Sequence, residues 1–171
     1  MSTKKELKIL KNNDIKYILN KICSIYRCSC KALLSKEYIE VKGPLFSQIC
    51  LLNEGERIDR IIAGLQKKNF YPYSVGLPIV KIKGHNNFSP LLPLGQLLVP
   101  YCKNIVKVGE KCASKLTYGK AVSVSHIYSF RYGIAISLMD DFIAFVKIKA
   151  LRNQSEIIPV LDIGLYLREY G

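Results

Sequence analysis

Apolar and basic residues alternate from Val146 onward in one late stretch of the chain, residues 142–152. Val146 and Ile148 fall on one face of the strand that this stretch predicts, and Lys147 and Lys149 fall on the other, because successive side chains of a strand point to opposite faces. Such a strand buries one face in a small domain and holds positive charge on the other.

This arrangement of charge suits a phosphate backbone, because binding to phosphates depends on positive charge and on where that charge is placed. Arg152 follows where the strand should end and would add a third positive group. An ordinary solvated strand face is the alternative, since Lys is common at exposed strand positions. The segment Val80-Lys81-Ile82-Lys83 shows the same alternation earlier in the chain.

The first hundred residues carry the pattern of a small α/β domain. Helix-start signals, stripes of apolar residues at helical spacing and short alternating runs follow one another, separated by Gly, Pro and Asn. The predicted elements are a helix after Asn12-Asn13-Asp14, strands over 38–42 and 45–52, a helix with Ile58, Ile61, Ile62 and Leu65 on one face, an extended segment over 71–83, a turn over 84–87 and a short helix over 91–99.

From Tyr101 onward the chain changes to short strands and turns, and Pro100-Tyr101 is the predicted domain boundary, which gives domains of 1–100 and 101–171. An order of strand, short helix and several strands over about 70 residues is typical of a small mixed β-barrel with a helix at one end. The predicted elements are strands over 105–108, 121–127, 134–138, 142–151 and 157–161, a helix over 110–116 that ends at Tyr118-Gly119, and a final helix over 163–169.

Composition adds a strong charge signal. The 171 residues include 26 Lys and Arg against 13 Asp and Glu, a formal net charge of +13. This excess predicts an anionic partner, either nucleic acid or an acidic membrane surface. No apolar run reaches the length of a membrane-spanning helix, and the start does not resemble a signal peptide. We therefore expect a cytoplasmic protein without a membrane partner, whose six cysteines are mainly reduced.

The sequence offers little for catalysis or metal binding. Cys23, Cys28 and Cys30 invite a metal interpretation, but they lack the paired knuckles of a structural zinc site, so we expect buried thiols and no metal. His85 and His126 have no local nucleophile signature beside them. No phosphate-cradling glycine motif occurs, and no cofactor is expected. The sequence thus favours a protein that is not an enzyme.

Residues 101–168 resemble a PUA domain, a small RNA-binding pseudo-barrel. The matching pieces are the helix and glycine turn over 115–122, the strand pair around Gly133 and Phe142, and the string Asp162-Ile163-Gly164-Leu165-Tyr166-Leu167-Arg168. Together with Ser74-Val75-Gly76, that last string resembles the Nip-seven family, PUA-containing factors of large-ribosomal-subunit assembly, in its archaeal form. The resemblance runs from about residue 46 to the C-terminus.

The resemblance implies an α+β fold, with a small N-terminal α/β domain and a C-terminal PUA-type mixed β pseudo-barrel. It also implies binding of U-rich or A/U-rich single-stranded RNA, partners among ribosome-assembly or exosome proteins, and no catalysis. We expect a monomer. By resemblance, the RNA contacts are Lys147, Lys149 and Arg152, with Tyr118, Gly119 and Lys120 from the glycine turn.

Aromatic residues add a further expectation for this face. Tyr118, Tyr128, Phe130 and Tyr132 cluster near it, with Arg131 between them, and such rings could stack on bases. Core packing is the alternative for each ring. At the level of the whole protein, the alternatives are a protein-interaction scaffold of the pre-ribosome or exosome, and a targeting subunit of an RNA-modifying enzyme.

Overall fold

The computed structural model describes residues 6–52, 58–68, 70, 75–84, 86–165 and 168. These contain two five-stranded sheets, and the chain divides into two compact units. The first unit comprises residues 1–22 and 31–93, and the second comprises residues 23–30 and 94–171. The second unit thus takes up a short segment from the early chain as well as everything after Pro93. No described helix is long and apolar enough to cross a membrane.

The first unit is built on an antiparallel sheet whose strands lie side by side in chain order, β1-β2-β3-β4-β5. Helix α1 starts in this unit and ends in the second. The elements are β1 (Glu6–Ile9), α1 (Asn12–Tyr26), β2 (Tyr38–Lys42), β3 (Ser47–Leu51), α2 (Ile58–Lys67), β4 (Leu77–Lys83) and β5 (Asn87–Pro90).

Both faces of this sheet carry buried apolar residues. On one face Leu7, Ile39 and Val41 form a cluster to which α2 contributes Ile62. The buried apolar stripe of α2 is narrower than the sequence predicts, because Ile61 remains 51% exposed. Helix α2 therefore covers the apolar face of the sheet at its first strands.

The second unit is built on a mixed sheet of strand order β6-β8-β9-β10-β7. β6 pairs with β8 in parallel, and the other pairs are antiparallel. α4 packs its buried Leu116 into the core cluster of this sheet. The elements are α3 (Leu92–Leu98), whose first two residues belong to the first unit, a 3₁₀ turn (Val99–Tyr101), β6 (Ile105–Lys107), α4 (Glu110–Thr117), β7 (Val122–Val124), β8 (Tyr132–Ile136), β9 (Phe142–Ala150) and β10 (Ser155–Asp162).

The cysteines differ from their prediction. Four of them pair as disulfides, Cys23 with Cys30 and Cys28 with Cys102, so the expectation of mainly reduced thiols is wrong for these four. Cys28 and Cys102 also form an isolated antiparallel β-bridge, with a backbone hydrogen bond on each side of it. The segment of residues 23–30 is thereby fastened to the chain that leads into β6. Sequence spacing could not predict this pairing, because the two partners lie 74 residues apart.

Several predicted bounds shift in the structure. β10 begins two residues earlier than expected, because Ser155 is buried and pairs with Ala150 across the hairpin. The strand expected over 121–127 is only the three residues of β7. Strands β1 and β5 were not predicted at all. Three of the seven residues of the final helix expected over 163–169, namely residues 166, 167 and 169, lie outside the described residues.

Candidate nucleic-acid interface

β9 carries the alternation that the sequence predicted for it. Val146 and Ile148 are buried and belong to the same core cluster as Leu116 of α4. Lys147 is half-buried and Lys149 is exposed, and both project from the opposite face of the strand. The core thus holds the strand on one side and leaves its ammonium groups on the other.

The register of the sheet places further groups beside Lys147. Tyr132 of β8 lies directly opposite Lys147, and Ile158 of β10 lies opposite it on the other side. Arg131 precedes Tyr132; its carbonyl accepts a 2.8 Å hydrogen bond from the Ile148 amide, and its guanidinium carbon lies 5.5 Å from the centroid of the Tyr132 ring. We call Arg131, Tyr132, Lys147 and Lys149 the β8–β9 basic patch.

Packing between aromatic side chains supports this patch. The ring of Tyr26, at the end of α1, lies 6.4 Å from that of Tyr132 and 4.8 Å from that of Phe145, measured between centroids. Burial, with a smaller contribution from the neighbouring Tyr132, raises the pKa of Tyr26 to about 12. The carbonyl of Tyr132 also accepts a 3.0 Å hydrogen bond from the Asn104 side chain. Ring packing against Tyr26 and the hydrogen bond from Asn104 to its carbonyl therefore fix the position of Tyr132.

The basic side chains at this site differ in whether an acidic side chain lies beside them. Glu156 of β10 lies opposite Lys149, and the two side chains are 4.0 Å apart. Among the described residues, no acidic side chain pairs with Lys147 or Arg152. An ion pair at this distance between partly exposed groups contributes at most about 1 kcal/mol. Lys149 thus remains available to an anionic ligand, while Lys147 carries the less balanced charge.

Arg152 lies beyond the end of β9, in the turn that leads to β10. The amide of Leu151 donates a 2.8 Å hydrogen bond to the carbonyl of Gln154, which closes this turn. Arg152 itself is exposed. The structure therefore places Arg152 on the same hairpin as Lys147 and Lys149, at its tip.

The glycine-turn residues of the predicted site lie elsewhere in the second unit. Tyr118, Gly119 and Lys120 follow α4, which packs on the face of the sheet opposite to Lys147 and Lys149. Gly119 has a φ of +72°, a conformation that favours glycine, and this confirms the predicted helix end. Lys120 leads into β7, which β10 separates from β9.

The same corner contains a built ion pair that the sequence did not predict. Arg168 donates hydrogen bonds of 2.9 and 2.8 Å to the two carboxylate oxygens of the buried Asp162, and a further one to the carbonyl of Thr117. Gly119 lies against this guanidinium, since a Cβ there would be 3.2 Å from its Nη2 atom. The corner around Gly119 is thus a structural junction between α4, β10 and the residue at 168.

Two of the other aromatic candidates have a packing role. Tyr128 and Phe130 lie 5.2 Å apart between ring centroids and pack against the core cluster of the sheet. Burial raises the pKa of Tyr128. Tyr118 is different, because its side chain is 67% exposed. Tyr132 is thus the aromatic ring that the structure brings next to the strand lysines.

Sequence reasoning missed two contributors to this surface. Tyr26, which supports Tyr132, is separated from it by more than a hundred positions and carried no signal beyond its place on the apolar stripe of α1. The position of Glu156 opposite a lysine could have been predicted from the sequence. A hairpin turn around Asn153 pairs residues on either side of it, so an acid after the turn faces a lysine before it.

Comparisons with known proteins bear on the fold. No protein-family model matches the chain, and no curated protein matches it by sequence. By structure, the chain is similar to a conserved PUA domain protein from Thermoplasma acidophilum, with a TM-score of 0.59 at 15% identity over 95% of this chain and 97% of that one. This likeness confirms the predicted α+β fold class with a PUA-type domain.

Proposed function

We propose that this protein is a non-catalytic factor that binds single-stranded RNA, U-rich or A/U-rich, in ribosome biogenesis or RNA processing. The observation that carries the proposal is the β8–β9 basic patch, in which Lys147, Arg131 and the ring of Tyr132 share one face of the sheet. The likeness to a PUA domain protein and the net charge of +13 support it. The resemblance to the Nip-seven family supplies the ribosomal context, cytoplasmic location and protein partners of the proposal.

Each part of the patch has a task in this proposed function. Lys147 and Lys149 would neutralise neighbouring phosphates, since residues two apart on a strand are about 7 Å apart, close to the spacing of phosphates along an extended strand. Arg152, at the tip of the same hairpin, would add a third contact. Tyr132 would offer its ring to a base, a contact that every base can make. This combination grips a flexible strand by charge and stacking, and it requires no bond to be made or broken.

The test compares ligands and variants. Wild-type protein should shift poly-U in a gel, and a length-matched duplex should shift less, because stacking on Tyr132 needs an unpaired base. The variant K147Q/K149Q/R152Q should lose at least tenfold in poly-U affinity while its thermal melting stays that of the wild type. A matched control, K8Q/K31Q/K111Q, removes the same charge from three exposed positions that are not part of the patch. Equal losses in both variants would show that only net charge matters and would reject this site.

A second candidate function rests on a different observation. The turn between β8 and β9 presents Leu138, 66% exposed, and Met139, 87% exposed. Hydrogen bonds from the amides of Met139 and Asp141 to the Ser137 hydroxyl, each 3.1 Å, hold this tip. Exposed apolar residues on an ordered tip favour protein docking, as a scaffold would use. A scaffold without RNA binding would leave poly-U unshifted in the same gel.

A further inference from the structure

One end of the sheet of the first unit is basic, and none of its described residues on one face is buried. Pairing across β3, β4 and β5 places Gln48 opposite Lys81, and Lys81 opposite Ser89, so these three side chains point to one side. Lys83 is two residues from Lys81 and opposite Asn87, on the same side. The open sheet patch consists of Phe46, Gln48, Lys81, Lys83, Asn87 and Ser89.

Within the described residues, the buried apolar cluster of this face does not extend to this part of the sheet. The cluster that includes Ile62 of α2 lies over Leu7, Ile39 and Val41, on the first strands. Every member of the open sheet patch is half-buried or exposed, and none is buried. The other side of the same strands is packed, with Ile49 and Val80 fully buried.

The patch combines cations with an aromatic ring. The ammonium nitrogen of Lys81 lies 4.2 Å from the centroid of the Phe46 ring. Strands β3, β4 and β5 contain no acidic residue, so nothing in them balances Lys81 or Lys83. Gln48 and Asn87 add side-chain amides, which donate and accept hydrogen bonds.

We propose that the open sheet patch is a second binding surface for single-stranded RNA, on the first unit. Lys81 and Lys83 would contact phosphates, a base would stack on the Phe46 ring, and the amides of Gln48 and Asn87 would meet base edges. An acidic protein segment would satisfy the lysines, but it would leave the ring and the amides unused. The proposal rests on the RNA-binding function proposed above, and it adds a surface that the PUA-type unit does not contain.

The first test locates the RNA. A uridine 12-mer with a photoreactive 5-iodouridine at each position in turn is crosslinked to the wild-type protein, and the crosslinked peptides are identified by mass spectrometry. Peptides that contain Phe46 or Lys81 are expected. Crosslinks confined to residues 94–171 would overturn the proposal and leave the function of the second unit intact.

The second test uses binding strength. K81Q/K83Q should flatten the salt dependence of log K for the uridine 12-mer by about 1.4, from roughly 0.7 per phosphate on single strands. F46L should weaken binding about tenfold, as expected for one lost stack. K8Q/K31Q, two exposed lysines away from the patch, is the matched control and should change less. Unchanged slope and affinity in K81Q/K83Q would overturn the proposal.

A third comparison separates RNA from an acidic partner and from failure of the other site. Poly-glutamate that displaces the 12-mer equally from wild type and F46L would show that the patch reads charge alone, against the proposal. K147Q/K149Q/R152Q is measured alongside. Loss in that variant but not in K81Q/K83Q would refute this inference alone, and the reverse result would refute the second-unit site alone.

Discussion

Lys147 of β9 lies directly opposite Tyr132 of β8, in a pair fixed by the backbone ladder. The guanidinium of Arg131 lies over the same ring, 5.5 Å from its centroid. A loop could shift such groups apart, but a central strand pair cannot do so without breaking its hydrogen bonds. The positive charge and the aromatic ring of the proposed RNA site are thus positioned by the fold itself.

Tyr132 should contribute through its ring. Y132L removes the stacking surface and should weaken poly-U binding about tenfold, as expected for one base stack. Y132F keeps the ring and should bind within twofold of the wild type. Fluorescence anisotropy with a labelled uridine 12-mer measures both variants. Full affinity in Y132L, with Y132F as reference, would contradict a stacking role.

Glu156 should weaken RNA binding in the wild-type protein, because it lies 4.0 Å from Lys149 and competes for its charge. E156Q is therefore expected to raise poly-U affinity by about two- to fivefold, in line with the modest worth of an exposed pair. E110Q on α4 removes an equal charge at an exposed position and is the control. Equal gains in the two variants would attribute the effect to net charge.

The Cys28–Cys102 disulfide should stabilise the second unit, because it closes a loop of 74 residues. C28S/C102S is expected to lower the free energy of unfolding by about 2–4 kcal/mol under oxidising conditions. Chemical denaturation followed by circular dichroism measures this loss. C112S, at a half-buried cysteine outside both disulfides, should change stability less. Six alkylatable thiols in the purified, unreduced protein would contradict the pairing.

Two buried tyrosines should make stability fall at alkaline pH. Burial raises the pKa of Tyr26 and of Tyr38 to about 12, from an ordinary value of 10. Because the pKa is higher in the folded state than in the unfolded state, ionisation of either tyrosine favours the unfolded chain. The contribution of each neutral tyrosine to stability is therefore complete below about pH 10 and is lost as pH rises through about 12, on the order of 2 kcal/mol for each tyrosine.

Denaturation midpoints measured from pH 8 to 12 test this expectation. The Tyr38 hydroxyl donates a 2.6 Å hydrogen bond to the Leu33 carbonyl, so Y38F should be less stable at pH 8. The same variant should lose less stability between pH 10 and 12, because its buried ring does not ionise. Parallel pH curves for wild type and Y38F would refute the assignment.

The fold was predictable from sequence where the pattern is strong. The α1 stripe from Ile15 to Tyr26, the alternation of β9 and the glycine turn at Gly119 each appear where expected. β1 was missed because it is a short edge strand with one buried residue, Leu7. β5 was missed because Asn87-Phe88-Ser89-Pro90 has the composition of a turn and is recognisable as a strand only beside β4.

The candidate site was predictable only in part, for a physical reason. Lys147 and Lys149 follow from strand periodicity, which is local. Their neighbours on β8 and α1 depend on pairing and packing between segments that are distant in sequence, which local periodicity does not specify. Tyr26 under Tyr132 and Cys28 beside Cys102 are contacts of that second kind.

The most direct test of the central claim is the salt dependence of poly-U binding in the wild type and in K147Q/K149Q/R152Q. If three phosphates contact these side chains, they contribute about 2 to the slope of log K against log salt, from roughly 0.7 per phosphate. The account predicts that the triple variant flattens the slope by this amount, while K8Q/K31Q/K111Q flattens it far less. A slope that stays unchanged in the triple variant would contradict RNA binding through the β9 hairpin.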